Sequence, residues 1–242
     1  PDIVRIESWA AKVHKHLSDP AAYNEFYRTL QSSVPTEERL FGGTEGKGEQ
    51  PLALPRAAVM VEWLARNRPS AVVLDIGCFD GPTGVTLLRY LPGIRYIGVD
   101  PDPLARARLR EHAEKFVDDG AARIAALHVA STSDDLSAFA PPGGADAVVF
   151  SEVIEHVPDP VYVLKKLLAL VRPDGWLFVT TPWCAYDKGR PFEVEKRDPR
   201  GHVRAYTPRA LAATIEAAGG RLVNLVKHFG PLTPLGDTAF AI

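Results

Sequence analysis

An apolar run that ends in an acid and breaks at once into glycines constrains this chain more than any other stretch. It reads Val73-Leu74-Asp75-Ile76-Gly77-Cys78-Phe79-Asp80-Gly81-Pro82-Thr83-Gly84. The segment from Ala71 to Ile76 has the pattern of a buried strand, and a helix is expected to start after Gly81. Glycines lack a Cβ, so the backbone of such a turn can approach a ligand closely. The carboxyl end of a strand is also where open α/β sheets bind ligands. Asp75 sits at that end, where a carboxylate would repel a pyrophosphate but could hold an ammonium group. The turn therefore suits a ligand that combines a cation, a nucleoside and close backbone contact.

A dinucleotide-binding turn reads G-x-G-x-x-G and seats a pyrophosphate on the helix N-terminus. Counted from Gly77, it would need glycine at positions 79 and 82, where this chain has Phe79 and Pro82. A dehydrogenase is excluded on that ground. The pattern resembles instead the first motif of class I S-adenosylmethionine (SAM)-dependent methyltransferases, an acid followed by three alternating glycines. Asp75, Gly77 and Gly81 match it, and Phe79 replaces the middle glycine. The resemblance extends over about 71–242. It implies a doubly wound α/β fold, a seven-stranded and mostly parallel sheet with helices on both faces.

The remainder of the chain fits that expectation. Its 242 residues suffice for one α/β domain with a helical extension and a core that needs no disulfides. The only cysteines, Cys78 and Cys184, form no CxxC pair. From residue 55 onward, apolar runs alternate with helical periodicities, the signature of a parallel sheet with crossover helices. Strands are predicted at 71–76, 95–100, 123–130, 145–151, 175–181 and 221–228, with a short last strand near the end. Residues 1–54 differ. Two amphipathic segments precede a Gly/Glu/Lys/Pro-rich stretch from Phe41 to Pro51, which reads equally as a surface loop or as a lid over the site. The domain proper is expected over 55–242.

The second strand ends at Asp100, 25 positions after Asp75. A carboxylate there can accept both hydroxyls of a ribose, since it offers two oxygens to two donors. The competing reading is a helix cap ahead of Pro101 and Pro103. After the third strand the resemblance implies a contact to the adenine, at Ser131 or Thr132. Cys78 is expected to line the cofactor pocket through its backbone, and Pro101 and Ser151 flank the same motifs.

The fourth strand runs directly into Ser151-Glu152-Val153-Ile154-Glu155-His156-Val157-Pro158. On a helical turn, Glu152, Glu155 and His156 would share one face. Two carboxylates and an imidazole can bind a divalent cation such as Mg2+, which could activate an acceptor hydroxyl. The Glu-x-x-Glu-His pattern resembles the ubiquinone-pathway O-methyltransferases and the metal-dependent small-RNA 3′-end 2′-O-methyltransferases. In other methyltransferases the same His packs near SAM or serves as base, so both readings stand for His156. His202 offers the same choice: a further metal ligand, the general base, or a residue that positions its loop.

The resemblance implies transfer of the SAM methyl group, and a Glu/His cluster without an Asn-Pro-Pro-Tyr-like motif favours oxygen as the nucleophile. From Asp187 to Arg209 the chain holds seven Lys/Arg and four Asp/Glu, too polar for a greasy acceptor. Trp183 and Tyr186 could stack on a sugar or aromatic acceptor, or pack as anchors. A saccharide or other polyhydroxylated small molecule is expected, ahead of a phenolic natural product, a quinone precursor or RNA. Nucleic acid is disfavoured by the net charge of −2. A SAM-binding fold used only as an interaction module is the non-enzymatic rival. No apolar run approaches the length of a membrane span and no signal peptide is read, so a cytoplasmic enzyme is expected. The composition admits a homo-oligomer without choosing its size.

Overall fold

The computed structural model describes residues 53–79, 81–128, 135–182, 192–193, 202–228 and 237–241. The expected N-terminal extension and lid over 1–54 lie almost wholly outside them. Helix α1 (Ala53–Asn67) leads into β1 (Val72–Ile76), α2 (Pro82–Tyr90) and β2 (Arg95–Asp100). Then come α3 (Pro103–Phe116), the short α4 (Gly120–Arg123), β3 (Ile124–His128) and β4 (Ala145–Ser151). A single 3-10 turn (Ile154–His156) precedes α5 (Pro160–Leu170) and the long β5 (Val171–Pro182). After the two-residue strands β6 (Phe192–Glu193) and β7 (Arg204–Ala205), α6 (Pro208–Ala217) leads to β8 (Asn224–His228) and β9 (Asp237–Ala241).

The main sheet has the order β3-β2-β1-β4-β5-β9-β8. Its first five strands are all parallel, as the alternating pattern predicted, and β9 and β8 pair antiparallel at the edge. Strands buried on both faces explain the near-continuous apolar runs. Along β1, Leu74 and Ile76 pack into one core with Val163, Leu167 and Leu211 of α5 and α6. Val73 enters the opposite core with Met60, Leu87 and Leu109 of α1, α2 and α3. Each face of the sheet is thus covered by helices, the doubly wound arrangement.

Three helices start by the same local device. Asp102, Asp159 and Thr207 each precede a proline and cap the first turn by accepting from the N–H of Leu104, Tyr162 and Ala210. Proline suits the first helical position because its missing N–H would be unsatisfied there anyway. At each of these three points the cap fixes where the chain turns into its helix. Strand order reverses between β1 and β4, which both lie next to each other and continue in opposite directions across the sheet. A crevice at such a reversal is the ligand-binding position of this architecture.

Candidate active site

The glycine turn after β1 folds onto its neighbours in a way that removes its amides from use. The N–H groups of Gly77 and Cys78 both donate to the Val99 carbonyl, at 2.8 and 3.2 Å. The Gly81 N–H donates to the Cys78 carbonyl at 3.0 Å, and the Phe79 N–H to Asp100 Oδ2 at 2.8 Å. An anion cradle requires free amides aimed at the ligand. Here four are consumed, which supports the exclusion of a pyrophosphate. Cys78, expected to line the cofactor pocket through its backbone, is buried in this turn, and its carbonyl accepts from the Gly81 N–H. Gly77 and Gly81 adopt positive φ, as their place in the turn demands. A Cβ on Gly77 would lie 2.5 Å from Val153 Cγ2, so this turn abuts the segment after β4.

Asp75 is 2% exposed and accepts a hydrogen bond from the Tyr96 hydroxyl through Oδ2. Its Oδ1 is buried and has no hydrogen-bond partner among the described residues. Burial pushes the carboxyl up to about 7, the Tyr96 hydrogen bond works against that, and the charge of Asp100 adds to it. Tyr96 gave no signal in the sequence, because a tyrosine inside a strand reads as core. Its ring fills the space beside Gly84, where a Cβ would meet it at 2.3 Å.

A carboxyl whose folded-state pKa lies above its unfolded value binds more protons when folded. It therefore stabilises the fold below about pH 4, and that contribution is lost as pH rises through about 7. Asp75→Asn is expected to flatten the decline of the apoprotein's melting temperature between those limits. A pH–Tm profile parallel to the wild type's across that window would refute the assignment.

Asp100, at the end of β2, is buried and accepts from Phe79 N–H and, through Oδ1, from Asp102 N–H at 2.8 Å. It thus ties the glycine turn to the start of α3. A carboxylate oxygen has more than one lone pair, so these bonds leave acceptor capacity for a diol. Pro101 follows on the surface. Ser131 and Thr132, the expected adenine contacts, lie outside the described residues, as do Trp183 and Tyr186.

Beyond β4 the structure departs from the predicted helical face. Glu152 has a left-handed backbone (φ 55°), and only Ile154–His156 form a turn of 3-10 helix. Glu152 is drawn toward β5: Thr180 Oγ1 donates to its Oε1 at 2.8 Å, and its N–H donates to the Thr180 carbonyl at 3.0 Å. Ser151 Oγ lies 2.8 Å from the same Thr180 hydroxyl. Glu152 is therefore not a member of the cluster that the structure assembles.

That cluster is Glu155, His156 and His202, whose ligand atoms lie within 4.8 Å of one another. Glu155 is 2% exposed, accepts from Thr181 Oγ1 at 3.1 Å, and faces His156 Nε2 at 3.9 Å and His202 Nε2 at 4.0 Å. The two imidazole rings stand 4.8 Å apart, edge to face. His202 arrives from far along the chain because its segment is fastened to the turn. Val203 N–H donates to the Glu155 carbonyl at 2.9 Å. Arg204 donates from Nη1 to the Val157 carbonyl at 2.7 Å and from Nη2 to that of Pro158 at 2.6 Å. Tyr206, also missed in the sequence, is buried nearby with no hydrogen-bond partner for its hydroxyl among the described residues. Burial raises its phenol pKa; Arg204 opposes the shift and the Glu155 charge reinforces it. A buried carboxylate between two imidazoles can hold a proton in transit or a divalent cation.

Comparisons with known proteins agree with this fold. A methyltransferase-domain family model matches residues 53–225. The ubiquinone biosynthesis O-methyltransferase of Aeromonas salmonicida (strain A449) is 29% identical over 66% of this chain and 68% of its own length. The ubiquinone biosynthesis O-methyltransferase of Xanthomonas campestris pv. campestris (strain B100) is 32% identical over 47% of this chain, a stretch spanning less than half of that relative, 44%. Among solved structures, the Burkholderia thailandensis 1,6-didemethyltoxoflavin-N1-methyltransferase superposes with a TM-score of 0.59 and 20% identity. The match covers 93% of this chain and 85% of that one, whose structure holds 1,6-didemethyltoxoflavin and S-adenosylhomocysteine. At that identity the likeness speaks to the fold alone. No helix among the described residues is long and apolar enough to cross a membrane.

Proposed function

Because this chain belongs to the methyltransferase-domain family and is a SAM-dependent methyltransferase, we propose that it methylates a hydroxyl oxygen of a small molecule at Glu155, His156 and His202. The observation that carries this reading is the buried Glu155 carboxylate facing both imidazoles at 3.9 and 4.0 Å. An alcohol or phenol is a weak nucleophile until its proton is removed, whereas an amine needs only a free lone pair. A carboxylate–imidazole cluster suits the former.

Asp75 and Asp100 hold the cofactor. Asp75 Oδ1, which has no hydrogen-bond partner among the described residues, receives the ammonium of SAM, and Asp100 receives the ribose hydroxyls. An acceptor oxygen then attacks the methyl carbon in line. The O–C bond forms as the C–S bond breaks, the electron pair stays on sulfur, and S-adenosylhomocysteine leaves. The acceptor proton passes to an imidazole nitrogen of His156 or His202, where the Glu155 carboxylate stabilises the resulting cation. Most of the acceleration comes from holding the two reactants in this geometry.

The same three residues fit a divalent cation. Ligand atoms about 2.1 Å from a tetrahedral ion lie roughly 3.4 Å apart, so these atoms, all within 4.8 Å of one another, would draw together on binding. Two imidazoles and one carboxylate, with Glu152 turned away, suit Zn2+ better than Mg2+, which prefers oxygen. A bound cation would supply Lewis-acid activation of the acceptor hydroxyl.

The acceptor class follows from polarity. The Lys/Arg- and Asp/Glu-rich stretch from Asp187 to Arg209 favours a saccharide or other polyhydroxylated molecule. A phenolic quinone precursor is the second reading, favoured by the ubiquinone-pathway relatives.

The test is SAM turnover on pooled sugars and phenols, with and without chelator, followed by mass-spectrometric location of the methyl group. Methylated oxygen is expected, with a loss of at least tenfold on chelation that Zn2+ reverses. A methyl found on nitrogen would sink the O-transfer reading. Full activity after chelation would remove the cation and leave the imidazoles as base.

A further inference from the structure

Phe79 stands where three features meet that the fold does not need together. Its backbone lies in the left-handed region, at φ 48°, where a bulky L-residue is strained and glycine is not. Its side chain is 54% exposed, so burial in either core does not offset that strain. Its N–H donates to Asp100 Oδ2, which fixes its backbone beside the carboxylate at the end of β2. Glycine at this position would give the same turn at lower conformational cost. Strain retained at an exposed aromatic is the pattern of a residue kept for what it touches in the ligand-bound state.

We propose that Phe79 is a cofactor-binding residue whose ring forms an apolar wall beside Asp100, against the ribosyl and sulfonium portion of SAM. The proposal rests on the cofactor reading of Asp75 and Asp100 above. An aromatic face there covers the sugar from water while Asp100 takes its hydroxyls. The same face attracts a sulfonium cation through its quadrupole. Phe79 thus exchanges backbone stability for ligand contact.

That exchange gives a test that a merely structural role would not satisfy. Titration calorimetry with S-adenosylhomocysteine is run on the full chain and on Phe79→Gly, Phe79→Leu and Phe79→Tyr, together with thermal melts of each apoprotein. Phe79→Gly is expected to melt higher than the wild type, by about 2–4 °C, yet to bind about tenfold more weakly. Phe79→Tyr is expected to bind within twofold of the wild type, and Phe79→Leu to fall between. An unchanged Kd in Phe79→Gly overturns the proposal. A lower melting temperature with weaker binding in Phe79→Gly also overturns it, because the residue would then act through the fold. Absence of binding by the wild type would instead remove the cofactor reading itself, and Phe79's role with it.

Discussion

Glu155→Gln is expected to lower methyl transfer by about 100-fold or more and to leave the fold standing. The carboxamide matches the carboxylate in shape and still accepts from Thr181 Oγ1, so packing in this buried position survives. What disappears is the one negative charge facing both imidazoles. General-base assistance is worth roughly 10²–10⁴ in rate, and 100-fold corresponds to about 2.7 kcal/mol of transition-state stabilisation. If the cluster holds a cation, loss of its anionic ligand acts in the same direction. Turnover at saturating SAM is the measurement, with a melting curve beside it. Removing a buried charge relieves its desolvation, so the melting temperature should stay level or rise. Retention of a third or more of the wild-type rate would show that Glu155 takes no part in the transfer.

Asp100→Asn is expected to weaken cofactor binding by about 100-fold and also to loosen the turn it organises. The carboxylate accepts from Phe79 N–H with one oxygen and from Asp102 N–H with the other. Asparagine supplies a single oxygen and turns an NH2 group toward one of those donors. A buried donor without an acceptor costs about 1–3 kcal/mol, and each kcal/mol lowers the melting temperature of a chain this size by about 2–4 °C. The ribose loses one of its two acceptors at the same time. Calorimetry with S-adenosylhomocysteine and a thermal melt separate the two effects. Normal affinity in a destabilised variant would confine Asp100 to a structural role. Normal stability with weak binding would mean that the loop does not depend on its two hydrogen bonds.

Both residues could be named from the sequence, for different reasons. Asp100 is marked by its place at the end of an apolar strand and by its distance from Asp75, and strand ends are what period-two patterning locates best. The Asp-Pro and Thr-Pro pairs at 102–103, 159–160 and 207–208 likewise announced helix starts, because a cap and a preset φ are local properties. Glu155 and His156 were visible as a polar pair just beyond an apolar strand. Their grouping with Glu152 assumed a regular helical turn, whereas the structure draws Glu155 and His156 together with His202. The left-handed backbone at Glu152 and its bonds to Thr180 turn that carboxylate toward β5 instead.

Other parts of the site had no local signature. Tyr96 supplies the partner of Asp75 from a neighbouring strand, and the register Leu74 to Ile97 and Asp75 to Gly98 settles which side chains can meet. Tyr206 and Thr181 are ordinary strand and loop residues until β5 and the segment after β7 place them near Glu155. His202 was a candidate among seven histidines. Its standing changes only because Val203 and Arg204 dock on the carbonyls of Glu155, Val157 and Pro158.

Taken alone, the amino-acid order settles the alternation of strands and helices, the polarity of the glycine turn and the exclusion of a pyrophosphate ligand. These follow from periodicity, backbone freedom and charge, which act over a few residues. The three-dimensional fold settles which carboxylate joins which imidazole and that the turn's amides are spent on Val99, Cys78 and Asp100. It also leaves one oxygen of Asp75 buried without a partner among the described residues. Those outcomes depend on strand register and on hydrogen bonds between distant segments. Such bonds form only when both cores have closed around the sheet, so no spacing along the chain records them.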